Sequence, residues 1–241
     1  MIGAFLNGLG ILAGALFGAS AKPPQSARTQ YFLKSALGAF TVWFGLRLIG
    51  DNVHGNFLAG GRQLAIATLS VALGFWIGKI LGLQKISNRL GRHAARLLAA
   101  AQKDPPGKSG AGLLALTILF CAAPLGILGA IVDGLANDFS LLSLKAVMDG
   151  LAMVSFIKIY RWPVALAAIP VTLFLNGLTF AVHFELLPWL QPRGLVPPLN
   201  VAAGLITCMI MLVILELRRV ELVNYLPGLI IAPLLAYGWL G

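Results

Sequence analysis

Four ionisable side chains, Asp133, Asp138, Lys145 and Asp149, sit inside the apolar stretch AIVDGLANDFSLLSLKAVMDGLAMVSF, residues 130–156. Seven residues separate Asp138 from Lys145, and four more lead to Asp149. At 100° per residue the three fall within about 40° of one another on a helix, forming one polar stripe. Asn137-Asp138 is a good N-cap for the apolar run that follows. Counted from that cap, Asp149 lies about 16 Å along the helix, near the middle of a ~30 Å hydrocarbon layer. A charge at that depth costs at least about 2.5–3.5 kcal/mol, so the stripe is expected to face a bundle interior or water. Lys145 and Asp149, at i and i+4, can reach each other. They read either as a coordinating or proton-accepting group with its counter-charge, or as a buried pair that only fixes packing. The connection DGLAND, holding Asp133-Gly134 and Asp138, reads as a cation-gathering outer entrance or as a plain polar turn.

Other residues could shape such a site. CAAPLGILG interrupts a helix at mid-depth through Pro124 and Gly126, and broken spans leave carbonyl and amide groups able to coordinate ions. Pro170, Pro227 and Pro233 are similar, although any one of them reads equally as a kink. Asn7, Asn176 and Asn224 are amides able to line a cavity or to bond between helices. Gly10, Gly14 and Gly18, four apart, make a small-residue ridge for close helix packing.

The elements that must position these groups follow from composition. Of 241 residues, 59% are hydrophobic and 11% charged, and mean hydropathy is +0.88. A soluble domain carries about 25% charged residues, so the chain reads as an all-α, polytopic transmembrane helical bundle. About eight apolar runs are long enough to cross: 2–20, 31–50, 64–83, 112–132, 139–157, 163–182, 197–216 and 222–240. Ala19-Ser20-Ala21 resembles a signal-peptidase site. MIGAFLNG has no basic leader, however, and the run exceeds a usual signal core, so a retained first span is expected.

Counting loops alternately, 14 of the 18 Lys and Arg fall on one side, leaving Arg47, Arg62, Lys145 and Arg193. Calling that side cytoplasmic puts both termini outside. Residues 1–84 form a first three-span half and 112–241 a five-span second half, within one membrane domain. Between them, 85–111 reads as a basic interfacial helix, KISNRLGRHAARLLAAAQKD, followed by the flexible linker DPPGKSGAG. Two triplets of opposite starting side permit an inverted 3+3 repeat plus two further helices.

The same features exclude other classes. The net charge of +10 is explained by basic cytoplasmic loops rather than by nucleic acid. Cys121 and Cys208 lie in apolar runs, and His54, His93 and His183 are far apart, so no disulfide framework or metal spacing is present. Ser140 and Ser143 do not face Lys145 on a helix, and HExxH, GxSxG and nucleotide-loop motifs are absent. An enzyme is not expected, nor a cofactor.

FLNGLGILAGALFG, LFCAAPLGILGAIVDGLANDFSLLSLKAVMDG and VNYLPGLIIAPLL resemble the domain of unknown function 554 family, the YdfK/YqgA-like bacterial membrane proteins. The resemblance covers nearly the whole chain. Its most specific part is Phe120-Cys121, Gly126, Gly129-Ala130, Asp133-Gly134, Asp138, Leu142, Lys145 and Asp149, flanked by Asn7 and by Asn224 with Leu226-Pro227. It implies a bacterial inner-membrane protein of a kind labelled transporter, with no established substrate. Relatives often carry an acidic residue at the end of the third span, where this chain has Gly78-Lys79.

The expected function is a channel or secondary transporter for a small ion or polar solute, with Asp149 at the midplane and Asp133 and Asp138 in the outer vestibule. The alternative is a non-transporting scaffold or assembly protein whose polar residues pair with a partner helix. Expected partners are the lipid bilayer and the solute, with self-association left open and no nucleic acid.

Overall fold

Residues 2–20, 27–102 and 110–240 are described by a computed structural model of the chain. Among them every regular element is helical: α1 Ile2–Ser20, α2 Ala27–Gly50, α3 Phe57–Ile80, α4 Leu83–Ala101, α5 Gly110–Cys121, α6 Pro124–Ala136, α7 Ser140–Tyr160, α8 Ala168–Ala181, α9 Leu187–Leu190, α10 Val196–Ile214 and α11 Gly228–Leu240. Most of the expected linker, 103–109, lies outside the described residues.

Among the described residues seven helical stretches are long and apolar enough to cross a membrane, and the bent pair α5–α6 makes an eighth if it counts as one span. Helices are the form these segments take because lipid offers backbone groups no alternative partner. α4 is excluded as a span by Lys85, Arg89, Arg92, His93 and Arg96. Its Ile86 and Leu90 remain exposed, as expected of a helix lying at an interface.

Several bounds differ from those read off hydropathy. α3 starts at Phe57 rather than residue 64, because the Asn56 side chain accepts a hydrogen bond from the Ala59 N–H at 2.9 Å. The sixth span does not stop at 182. It runs from Trp162 to Arg193, through the π turn Val182–Leu186 and then α9. A proline at 188 has no N–H to give, and wider i→i+5 bonding beside it carries the helix past. Gly194, at φ +64°, ends it. Asp133 and Gly134 belong to α6 rather than to a loop, and Asn137 in the left-handed conformation (φ 53°) terminates α6 with its N–H on the Asp133 carbonyl at 3.0 Å. The N-cap expected from Asn137-Asp138 is therefore split. Asn137 closes α6, and the Asp138 carboxylate accepts from the Ser140 N–H at 2.9 Å.

The described helices form two compact units, each drawn from separate parts of the chain. One comprises Met1–Ala27 and Ile86–Phe180; the other, Arg28–Lys85 and Ala181–Gly241. In the second unit α3 packs against α10 and α11. Gly74 there meets the Gly228 backbone, and Gly78 meets that of Asn224. In the first unit the main contact is α1 on α7. Gly10 abuts the Ala146 backbone, Gly14 that of Gly150, and Gly18 that of Val154, so the two helices run parallel, in register.

If α2 and α3 both cross the membrane and α4 does not, parallel α1 and α7 call for one further crossing between them, which the bent α5–α6 pair would supply as a broken span. By length and composition the described residues of this multi-pass membrane protein hold seven spans, or eight with that pair counted as one.

Candidate functional site

Asp149 is the tenth residue of the 21 in α7, and thus at half its height. Helical side chains lean toward the N-terminus, which brings its carboxylate back to the level of Lys145. The Lys145 ammonium donates to Asp149 Oδ2. Asn7 Nδ2 of α1 donates to the same oxygen at 2.9 Å. Because a carboxylate only accepts, this bond settles the amide's orientation and turns Asn7 Oδ1 away from Asp149. That Oδ1 is buried with no hydrogen-bond partner. Lys145 is 1% exposed, Asp149 7% and Asn7 not at all.

Residues outside α7 complete the setting. Lys145 Nζ lies 5.7 Å from the centroid of the Phe120 ring at the end of α5, a distance that favours a cation over the π face. Gly126, one turn into α6, faces the Lys145 stem: a Cβ placed there would lie 2.5 Å from Cε and 3.1 Å from Cδ. The 57° bend between α5 and α6 thus opens where the ammonium sits. Pro124 occupies the first turn of α6, where its missing N–H costs nothing.

Gly10 and Gly14 are what let Asn7 reach Asp149. Any side chain at either position would enter the α7 backbone, and α1 would stand off beyond hydrogen-bonding range. Ala146 and Gly150 are the matching small residues on α7, each next to one of the charged pair. Their i, i+4 spacing was readable in LKAVMDG and is the signal that hydropathy reading passed over.

α8 adds polar atoms in the same unit. Thr172 faces Gly8 of α1, and further along α8 both Asn176 Oδ1 and Thr179 Oγ1 are buried without hydrogen-bond partners.

The remaining sequence candidates separate. Asp133 is fully buried, against Gly3 of α1 and not in an open vestibule. Asp138 is half-buried and off the stripe, because it precedes α7 and is used at the helix start. Gly18 serves packing against Val154 and Ile157. Asn224 and Pro227 lie in the other unit. There Asn224 accepts from the Gln84 N–H at 3.0 Å and donates to Glu221 at 2.7 Å, joining the start of α4 to the turn before α11. Among the described residues no group of three or more His, Cys, Asp or Glu is placed to hold a metal.

Gly126→Val tests the contact with Lys145. The stem must move aside, since its neighbour at this point is the flexible end of a side chain. The expected result is loss of the Lys145–Asp149 contact and a stability decrease of about 1–3 kcal/mol by unfolding in detergent. Gly126→Ala gives a smaller decrease.

Residues 2–237 match the family model described as protein of unknown function (DUF554). The chain is similar to the uncharacterized protein YqgA of Escherichia coli (strain K12), at 28% identity over 99% of this chain and 97% of the relative. It is also similar to the uncharacterized membrane protein YdfK of Bacillus subtilis (strain 168), at 23% identity over 98% of this chain and 96% of the relative. No solved structure matches significantly. A match over nearly the full length makes the chain a member of the DUF554 family of proteins of unknown function.

Proposed function

We infer that the protein is a channel or secondary transporter for a small ion or polar solute, working through the Lys145–Asp149 pair. The observation that carries this reading is a buried ion pair with an unpartnered amide oxygen, Asn7 Oδ1, beside it, and further unpartnered polar atoms on α8 of the same unit. Asn7 Oδ1, Asn176 Oδ1 and Thr179 Oγ1 have no protein partner, and a buried polar group left unpaired costs about 1–3 kcal/mol. Water or a passing solute offsets that cost. Asn7 Oδ1 accepts only, so what it takes is a hydrogen-bond donor or a cation. In the resting arrangement Lys145 occupies Asp149; an entering cation or proton competes for the carboxylate and frees the ammonium. The broken α5–α6 span beside Lys145 is the element whose bend would follow that exchange.

The bias of Lys and Arg supports a cytoplasmic membrane with α4 on the inner side. Eight crossings return the chain to its starting side, so both ends would lie outside. Self-association is compatible with this reading, and no bond-making chemistry belongs to it.

Purified protein in vesicles provides the test, screened for proton, alkali-cation, halide and small-solute flux against empty vesicles. Flux is expected from the wild type, with a loss of at least about tenfold in the double variant Lys145→Met/Asp149→Leu. Undiminished flux in a folded double variant would remove the pair from the mechanism. No flux from any ion, together with a partner helix co-purifying in equal amount, would favour the scaffold reading instead.

A further inference from the structure

The second unit contains a cavity of about 270 Å³ that the transport reading does not use. Its floor is aliphatic, built from Ala59, Ile66, Pro197, Pro198 and Ala236. Its polar lining is Asn52, His54, Arg62 and Gln63, with no carboxylate. Two of these four are spent. Gln63 clamps the 51–56 turn by accepting from the His54 N–H at 3.2 Å and donating to the His54 carbonyl at 3.0 Å. Asn52 donates to the Leu48 carbonyl at 2.8 Å and accepts from Asn200 at 3.0 Å. Asp51, the nearest acid in sequence, is paired with Arg47 at 3.3 Å.

Arg62 and His54 are left. The Arg62 guanidinium donates from one nitrogen to the Trp239 carbonyl, and its carbon lies 6.0 Å from the Trp239 ring centroid. Those contacts hold the planar group at the cavity rim with several of its five N–H donors still to be used. Both Arg62 and His54 are exposed at the rim. A cationic, donor-rich mouth over an aliphatic pocket is chemically one-sided: it matches a negatively charged head carrying a hydrocarbon chain.

We propose that this cavity binds an anionic amphiphile, its head on Arg62 and His54 and the first carbons of its chain against Ala59, Ile66 and Ala236. The same chemistry comes from two sources, a free aliphatic carboxylate and an anionic phospholipid. The site stands at the N-terminal end of α3 and does not depend on the Asp149 reading.

The experiment has two arms on the full-length protein. In neutral detergent, octanoate binding is measured by calorimetry, with n-octanol as the uncharged control. In nanodiscs, retention of phosphatidylglycerol against phosphatidylcholine is measured by native mass spectrometry. Saturable octanoate binding at least tenfold tighter than octanol identifies the free carboxylate. Selective phosphatidylglycerol retention identifies the lipid. Either result is expected to weaken at least tenfold in Arg62→Gln, to survive in Arg62→Lys, and to fail in Ala59→Leu, which fills the cavity while leaving the charge. Monodisperse elution of each variant shows that folding is intact. Binding in neither arm, or binding indifferent to both Arg62→Gln and Ala59→Leu, overturns the proposal.

Discussion

Asp149→Ala is expected to destabilise the protein by about 3–5 kcal/mol, because it strands the Lys145 ammonium in the middle of a membrane helix. Lys145 is 1% exposed and reaches water only by leaving its place between Asp149 and the Phe120 ring. Asn7 Nδ2 loses its acceptor in the same step. The double variant Lys145→Met/Asp149→Leu removes both charges and keeps the volume. Replacing a buried pair with apolar residues is commonly neutral or stabilising, while Asn7 Nδ2 still loses its acceptor, so the double variant should recover most of the single variant's loss and stay within about 1–3 kcal/mol of wild type. Chemical or thermal unfolding in detergent checks both. The comparison also separates stability from function: a pair retained only for packing would leave a stable, fully active double variant, whereas a pair retained for transport leaves a stable, silent one. A single variant as stable as wild type would show that the ammonium is hydrated in place.

Gly14→Val is expected to have an effect of similar size through a different cause. Gly14 faces the carbonyl of Gly150, and a side chain there meets backbone that cannot rotate away. Overpacking of this kind costs about 1–3 kcal/mol when side chains can yield, and more where the obstacle is a helix backbone. α1 must then stand off from α7, and the 2.9 Å bond from Asn7 to Asp149 breaks as a consequence. Unfolding measurements report the first effect. A disulfide-trapping distance between α1 and α7 reports the second. Gly177→Val is the control, since open space surrounds that glycine, and it should shift stability by less than about 0.5 kcal/mol. Equal effects at 14 and 177 would show that the α1–α7 contact is not the tight one described.

The parallel α1–α7 pairing also explains which parts of the site were legible beforehand. Lys145 and Asp149 are four apart on one helix, so their contact is local and follows from helical geometry alone. Asn7 is 142 residues from Asp149, and no local rule connects them. Only the register of two glycine-lined helices brings them together. Asp133 illustrates the opposite failure. A loop reading of DGLAND was natural, because Gly and Asn-Asp are turn residues. α6 instead runs on to Ala136 and buries the carboxyl against Gly3. Asn224 looked like a candidate for lining a path. Its amide is taken by the distant Gln84 N–H, which only the tertiary fold supplies, and by Glu221 three residues earlier.

Hydropathy, charge bias and helical periodicity by themselves determined that this chain is a helical, multi-pass membrane protein with an interrupted helix at Pro124 and a Lys145–Asp149 pair on one apolar helix. Those properties are local: each follows from a few consecutive residues and the energy of placing them in lipid. Tertiary structure alone decided which helices touch, that α1 and α7 run parallel, that Asp149 is shared between Lys145 and Asn7, and that an Arg-rimmed cavity exists at all. These depend on backbone approach between distant segments, which small residues permit without specifying.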